Sequence, residues 1–266
     1  MATSVGLSTV SVYPESTAHG FAYAADLGYD TVEVMVGIDA ISQQVSAVLQ
    51  LADHHQIPIS AVHAPCLLFT QRVWGLEPWG KLQRSADMAA AVGAEVVVVH
   101  PPFRWQKEYA AEFVNGIAAL EESTGLAFAV ENMYPWRASK RQLPMYLPGT
   151  DPSAETYANT TIDLSHAAIA GDDVIEMAER LGPRLRHIHL TDGTSNARDE
   201  HLVPGRGEMG ADRFLQHLTR TGFAGDVVVE INTRKAADLE EREADLVESL
   251  EFARKHLAAG AADSED

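Results

Sequence analysis

Residues 160–171 read TTIDLSHAAIAG, and the reading of this stretch decides the fold. Thr160-Thr161-Ile162 is a β-branched run suited to a strand. Asp163 closes the run, His166 follows three residues later, and an Ala-rich helical start comes next. A carboxylate and an imidazole, fixed at a strand's C-terminal end and in the next turn, can face one ion or one substrate. Alone, Asp163 is more simply a helix cap. What argues for a shared site is recurrence, because apolar runs that end in His or a carboxylate return along the chain.

Outward from there, strands are predicted over 5–12, 31–36, 57–63, 95–99, 126–130, 185–190 and 226–231. Helical spacing is read over 14–27, 38–55, 76–92, 107–122, onward from His166 through Arg180, and over 211–221 and 236–256. Uniform apolarity such as Val96–Val99 suits a parallel strand buried on both faces. The longest irregular connection, 135–156, carries prolines at 135, 144, 148 and 152. Eight strand-then-helix units with short links predict an α/β fold, a single closed (β/α)8 TIM barrel over residues 1–258. The tail 259–266 reads as disordered.

Composition narrows the function. With 46% apolar residues in 266 the chain can fill one barrel core, and no apolar run approaches the roughly 20 residues of a membrane span. The N-terminus lacks a basic-then-apolar leader, and Cys66 is the sole cysteine, which point to the cytoplasm. A formal charge of -18 disfavours a nucleic-acid partner.

At the expected strand ends stand Glu33, His63, His100, Glu131, Asp163, His189 and Glu230, joined by His166 and by Asp199 and His201 as D-x-H. Each alone has a plain structural explanation as a core, rim or solvated residue. Gathered at one end of a barrel, the carboxylates would repel and raise one another's pKa, so the cluster calls for cations. Mixed imidazole and carboxylate donors suit zinc or manganese better than magnesium.

The motifs AVHAP, VVHPP, AVENM, TIDLSHAAIAG, HIHLTDG, DEHLVPGRGEMG and VVVEINT resemble the xylose isomerase-like TIM-barrel superfamily over about residues 5–256. That superfamily includes endonuclease IV and sugar epimerases. For its epimerases the resemblance implies one divalent ion held by Glu131, Asp163, His189 and Glu230, with the two glutamates also moving the substrate proton. For endonuclease IV it implies a three-zinc cluster that adds His63, His100, His166, Asp199 and His201. One to three ions are thus expected. The basic residue that rare-sugar epimerases place after the seventh-strand His is not found at Ser195.

Arg72, Arg104, Arg137, Lys140, Arg141, Arg198, Arg206 and Arg234 fall in predicted β-to-α loops, which suggests an acidic substrate such as a sugar phosphate. Tyr134, Trp136 and Tyr146 in the proline-rich loop suggest a lid or substrate wall. Substrate contacts are expected from Glu33, His166, Trp136, Arg137 and Arg206. The expected activity is a metal-dependent sugar isomerase or epimerase using Glu131 and Glu230 through an enediolate. The alternative is a trinuclear zinc phosphodiesterase or phosphatase. A homo-oligomer is compatible with the resemblance.

Overall fold

The four valines of Val96–Val99 alternate between two environments, and the whole barrel repeats that alternation. In the computed structural model, which describes residues 3–138, 141–194, 196 and 198–262, eight parallel strands form a closed barrel. They are β1 (Val5–Ser8), β2 (Thr31–Met35), β3 (Ile59–His63), β4 (Val96–Val99), β5 (Ala127–Glu131), β6 (Thr160–Asp163), β7 (Leu185–Leu190) and β8 (Asp226–Val229). Parallel pairing of β1 with β8, Val5 opposite Val227, completes the ring.

Successive side chains on a strand point to opposite faces. Val97 and Val99, Phe128 and Val130, Ile188 and Leu190, and Val227 and Val229 join the large cluster between strands and helices. Ala61, Val96, Val98 and Ala129 form a separate small cluster. The next positions in the same phase as this small cluster are His63, His100 and Glu131, which is how the strands deliver polar groups to one end. A fully buried side chain such as Phe113 or Phe128 contributes roughly 1.5–3 kcal/mol to stability. The polar end rests on that apolar frame.

Among the described residues the α-helices are α1 (Thr17–Leu27), α2 (Val45–His55), α3 (Pro78–Val92), α4 (Lys107–Thr124), α5 (Leu164–Ala170), α6 (Val174–Leu181), α7 (Ala211–Arg220) and α8 (Leu239–Ala262). Their distribution departs from eight strict strand-then-helix units in two places. Among the described residues no α-helix lies between β5 and β6, where 135–156 reads as an irregular connection. The 132–159 connection instead holds a short antiparallel hairpin, Trp136–Ala138 with Arg141–Leu143, and a 3-10 turn at Pro152–Ala154. Prolines remove backbone donors and disfavour helix at the preceding residue. The sixth unit carries two helices, because Gly171 adopts the left-handed φ of +79° and ends α5.

β1 is shorter than predicted, since Thr9–Val12 turns into a 3-10 helix. The closing helix runs through Ala262, beyond the expected boundary at 258; its Leu257 and Gly260 are buried, tying down its end. Residues 263–266, Lys140 and Ser195 lie outside the described residues. No helix among those described is long and apolar enough to cross a membrane.

Candidate active site

Asp163 satisfies both readings of the TTIDLSHAAIAG stretch. Its Oδ1 accepts from the His166 N–H at 2.8 Å, capping α5. Its Oδ2 lies 3.7 Å from His189 Nδ1 and has no hydrogen-bond donor among the described residues. Asn132 locks the turn, because Asp163 N–H donates to Asn132 Oδ1 at 2.6 Å and Asn132 Nδ2 donates to the Asp163 carbonyl at 3.1 Å.

Glu131, only 1% exposed, is the hub. Oε2 lies 3.4 Å from His63 Nε2 and 3.0 Å from His100 Nε2. Oε1 lies 3.0 Å from His166 Nδ1 and 3.4 Å from His189 Nδ1. Despite the nearby nitrogens, Glu131 Oε2 makes no hydrogen bond of acceptable geometry among the described residues, and Glu230 Oε2 has none there either. Glu230 sits on the other edge of His189, 3.3 Å from Nε2.

Burial and charge set the protonation. Burial alone would raise the Glu131 pKa, yet the charges of His100 and His189 hold it well below the usual carboxylate range. Glu230 is raised, chiefly by burial. Burial opposes charge on His189 and His166, but Glu230, Glu33 and Glu131 around the first, and Asp163 and Asp199 around the second, raise both well above the ordinary imidazole value. His100 is lowered by burial.

At the rim, His201 Nε2 lies 3.1 Å from Asp199 Oδ1, and His166 Nε2 lies 3.3 Å from Asp199 Oδ2. Burial opposes protonation of His201, but Asp199 and Asp163 push its pKa up to about 10. His201 has φ +45°, a conformation uncommon for a non-glycine residue and one that tertiary contacts must hold. Those contacts include Ser165, whose hydroxyl donates to Asp199 Oδ1 at 2.8 Å and accepts from the His201 N–H at 3.1 Å, and the Asn232 N–H, which donates to the His201 carbonyl at 2.8 Å. The loop is also pinned by buried Asp192, which accepts the backbone N–H groups of Gly193, Gly205 and Met209. A Cβ on Gly207 would run into that carboxylate and the Gly193 carbonyl.

These donors form overlapping groups whose ligand atoms lie within 4.8 Å of one another: Glu131, Asp163 and His189; His63, His100 and Glu131; Asp163, His166 and His201; and Glu33, His187 and His189. Buried carboxylate oxygens without donors, converging with imidazole nitrogens from separate strands, match the nitrogen and oxygen set that zinc or manganese takes. The residues fit a divalent metal.

Most of the expected residues gather here. Three of the expected substrate contacts have partners of their own. Glu33 lies within β2, before its end at Met35, so its fully buried side chain emerges below the mouth and bonds to Ser8, His187 and His189. Arg206 pairs with Asp245 and Glu248 on α8. Trp136 packs with Phe103 and Trp105 at ring separations of 6.2 and 6.4 Å. The aromatic against the site is Tyr134, 4.9 Å from the His166 ring. The Arg137 side chain lies outside the described residues. The sequence reading missed His187, although the H-x-H spacing places it on the same strand face as His189. It also missed Asn132, Ser165 and Asp192.

A closed (β/α)8 barrel with carboxylates and imidazoles at the strand ends defines a class, and a family model agrees. The model, described as Xylose isomerase-like TIM barrel, matches residues 21–256, and the chain belongs to that family. It is 46% identical over 275 residues to the uncharacterized protein Rv0498 of Mycobacterium tuberculosis, covering 96% of this chain and 98% of that protein. It is 21% identical over 239 residues to fructoselysine 3-epimerase of Escherichia coli O157:H7, covering 81% and 85%. The fold is similar to a solved D-tagatose 3-epimerase-like protein, with TM-score 0.71 and 22% identity over 99% of this chain and 100% of that one.

Proposed function

We propose that this protein is a divalent-metal-dependent isomerase or epimerase of a sugar or sugar phosphate. The observation that carries the proposal is the pair Glu131 and Glu230, buried on opposite edges of His189 and shifted in opposite directions in their proton affinity. Two carboxyl groups whose environments push their pKa values apart are suited to acid and base roles. Glu131, kept ionised, takes the proton from the carbon beside the substrate carbonyl, giving an enediolate. Glu230, which holds its proton more readily, returns one from the other edge. His166 and Tyr134 line the rim where hydroxyl groups would be held. Glu131, Asp163 and His189, with Glu230 beside them, would hold the metal, which when bound polarises carbonyl and hydroxyl oxygens. The epimerase names among the relatives support this class.

The test is solvent exchange. Ketoses and ketose phosphates incubated in D2O with protein purified without chelator are expected to take up deuterium at the carbon next to the carbonyl. Glu230→Gln should slow that uptake by about 10²- to 10⁴-fold; an undiminished rate would remove Glu230 from the mechanism.

A second reading, a trinuclear zinc phosphodiesterase or phosphatase, is favoured by the two further donor groups built from His63 and His100 and from His166 and His201. Three zinc per chain, with phosphoester hydrolysis lost in His201→Ala, would establish it over the first.

A further inference from the structure

The group left unused by the chemistry above is the fully buried set Glu33, His187 and His189. Glu33 stands on β2 and the two histidines on β7, and β1 and β8 separate these strands in the sheet. The Glu33 side chain therefore reaches across the inside of the barrel. Its Oε1 accepts from the Ser8 hydroxyl at 3.0 Å, and Ser8 is its register partner on β1. Its Oε2 receives His187 Nε2 at 2.9 Å and His189 Nε2 at 3.2 Å. All four residues are 0% exposed.

An ionised carboxylate only accepts hydrogen bonds, so the His189 nitrogen facing Glu33 must carry the proton. Nδ1 also faces a carboxylate, that of Glu131, but a metal takes only a neutral imidazole, which has one proton. With Nε2–H kept by Glu33, Nδ1 is the nitrogen that gives up its proton to an ion and offers a lone pair. That nitrogen faces Glu131 Oε1 at 3.4 Å and Asp163 Oδ2 at 3.7 Å. A ligand histidine anchored through its other nitrogen by a carboxylate binds metal in a fixed orientation with enhanced basicity. His187 holds the same carboxylate oxygen from two residues away, and Ser8 holds the other, so Glu33 has little freedom to leave.

We propose that Glu33 is a positioning residue that fixes His189 as the Nε2–H tautomer and aims its Nδ1 at the metal, with His187 and Ser8 as its clamps. This rests on the reading of His189 as a metal ligand. It also assigns the H-x-H pair on β7 two different tasks, His189 to the ion and His187 to the carboxylate that orients it.

The experiment is zinc titration by calorimetry with chelator competition, together with the visible spectrum of the cobalt(II) form, for wild type and Glu33→Gln. The variant is expected to keep the wild-type number of ions, to bind zinc about 10- to 100-fold more weakly, and to alter the cobalt d–d bands. Equal affinity and identical bands would overturn the positioning role alone. Loss of a whole equivalent of metal would overturn it too, by making Glu33 a ligand. A wild type that binds neither ion would overturn the metal reading beneath it. Should Glu33→Gln fail to fold, nitrogen-15 imidazole spectra of the zinc-loaded wild type decide the matter. A proton on His189 Nε2 is expected, and a proton on Nδ1 would overturn the proposal.

Discussion

Glu33 and Asp199 are both carboxylates set between two imidazoles, one at the floor of the barrel mouth and one at its rim. Glu33 sits between His187 and His189 with no exposure, on a strand, within backbone fixed by barrel pairing. Asp199 sits between His166 and His201 with its side chain 28% exposed. It belongs to a loop whose geometry depends on the Ser165 hydroxyl and the Asp192 carboxylate. The same trio of groups is thus held by the sheet in one place and by individual side-chain hydrogen bonds in the other. The floor can be altered only by breaking the barrel's interior, whereas the rim can be altered by one substitution in its supports.

The largest effect is expected where floor and rim meet. Glu131→Gln removes the negative charge shared by His63, His100, His166 and His189. The loss should be about 3–5 kcal/mol, as for other broken buried pairs, measured by denaturant unfolding in chelator. A loss below about 1 kcal/mol would mean that the imidazoles do not depend on that carboxylate. Asp192→Asn should cost less, about 1.5–3 kcal/mol, the range for hydrogen bonds to a charged group. Amide exchange should quicken at Gly205 and Met209 while that of Glu33 and His189 stays slow. Equal acceleration at floor and rim would end the distinction.

The smallest effect is in pH. His201 has a raised folded-state pKa, so its contribution is complete below the ordinary imidazole value of about 6.5 and is lost as pH rises through about 10. Asp199 has a lowered one, for although burial opposes ionisation, His201 and His166 outweigh it. Its contribution is present above about pH 3.9 and is lost as pH falls through the lowered value. Between pH 7 and 10 in chelator, wild-type stability should fall by on the order of 1 kcal/mol, given the partial exposure of this pair. In Asp199→Asn that fall should shrink; a fall of unchanged size would place the titration elsewhere.

Much of this was legible in the chain because the barrel writes itself as alternation. His63, His100, Glu131, Asp163, His189 and Glu230 follow the inward phase of their strands, and the period of two carries them into one space. Depth was harder to read. The register shifts between Val32 and Glu33, and Met35 rather than Glu33 ends the strand, so a residue expected at the mouth lies beneath it. The helix-free fifth unit was half visible in its prolines, and the split after β6 in Gly171. The pairing of Arg206 with Glu248 was not legible because the two lie 42 residues apart, and no local pattern announces it. Ser165 and Asn132 were overlooked because their work is done through backbone groups, which residue types do not display.

Asp163 carries one consequence for the history of the chain. Functional side chains ordinarily trade stability for activity, but here one oxygen starts a helix and the other faces His189 in the donor cluster. Drift at this position is penalised twice. A descendant that abandoned the chemistry would still be confined at residue 163 to the few side chains that begin a helix well, namely Asp, Asn, Ser or Thr. An aspartate here therefore marks inherited architecture as much as living activity, whereas Glu230, which caps nothing, would be free to vanish first.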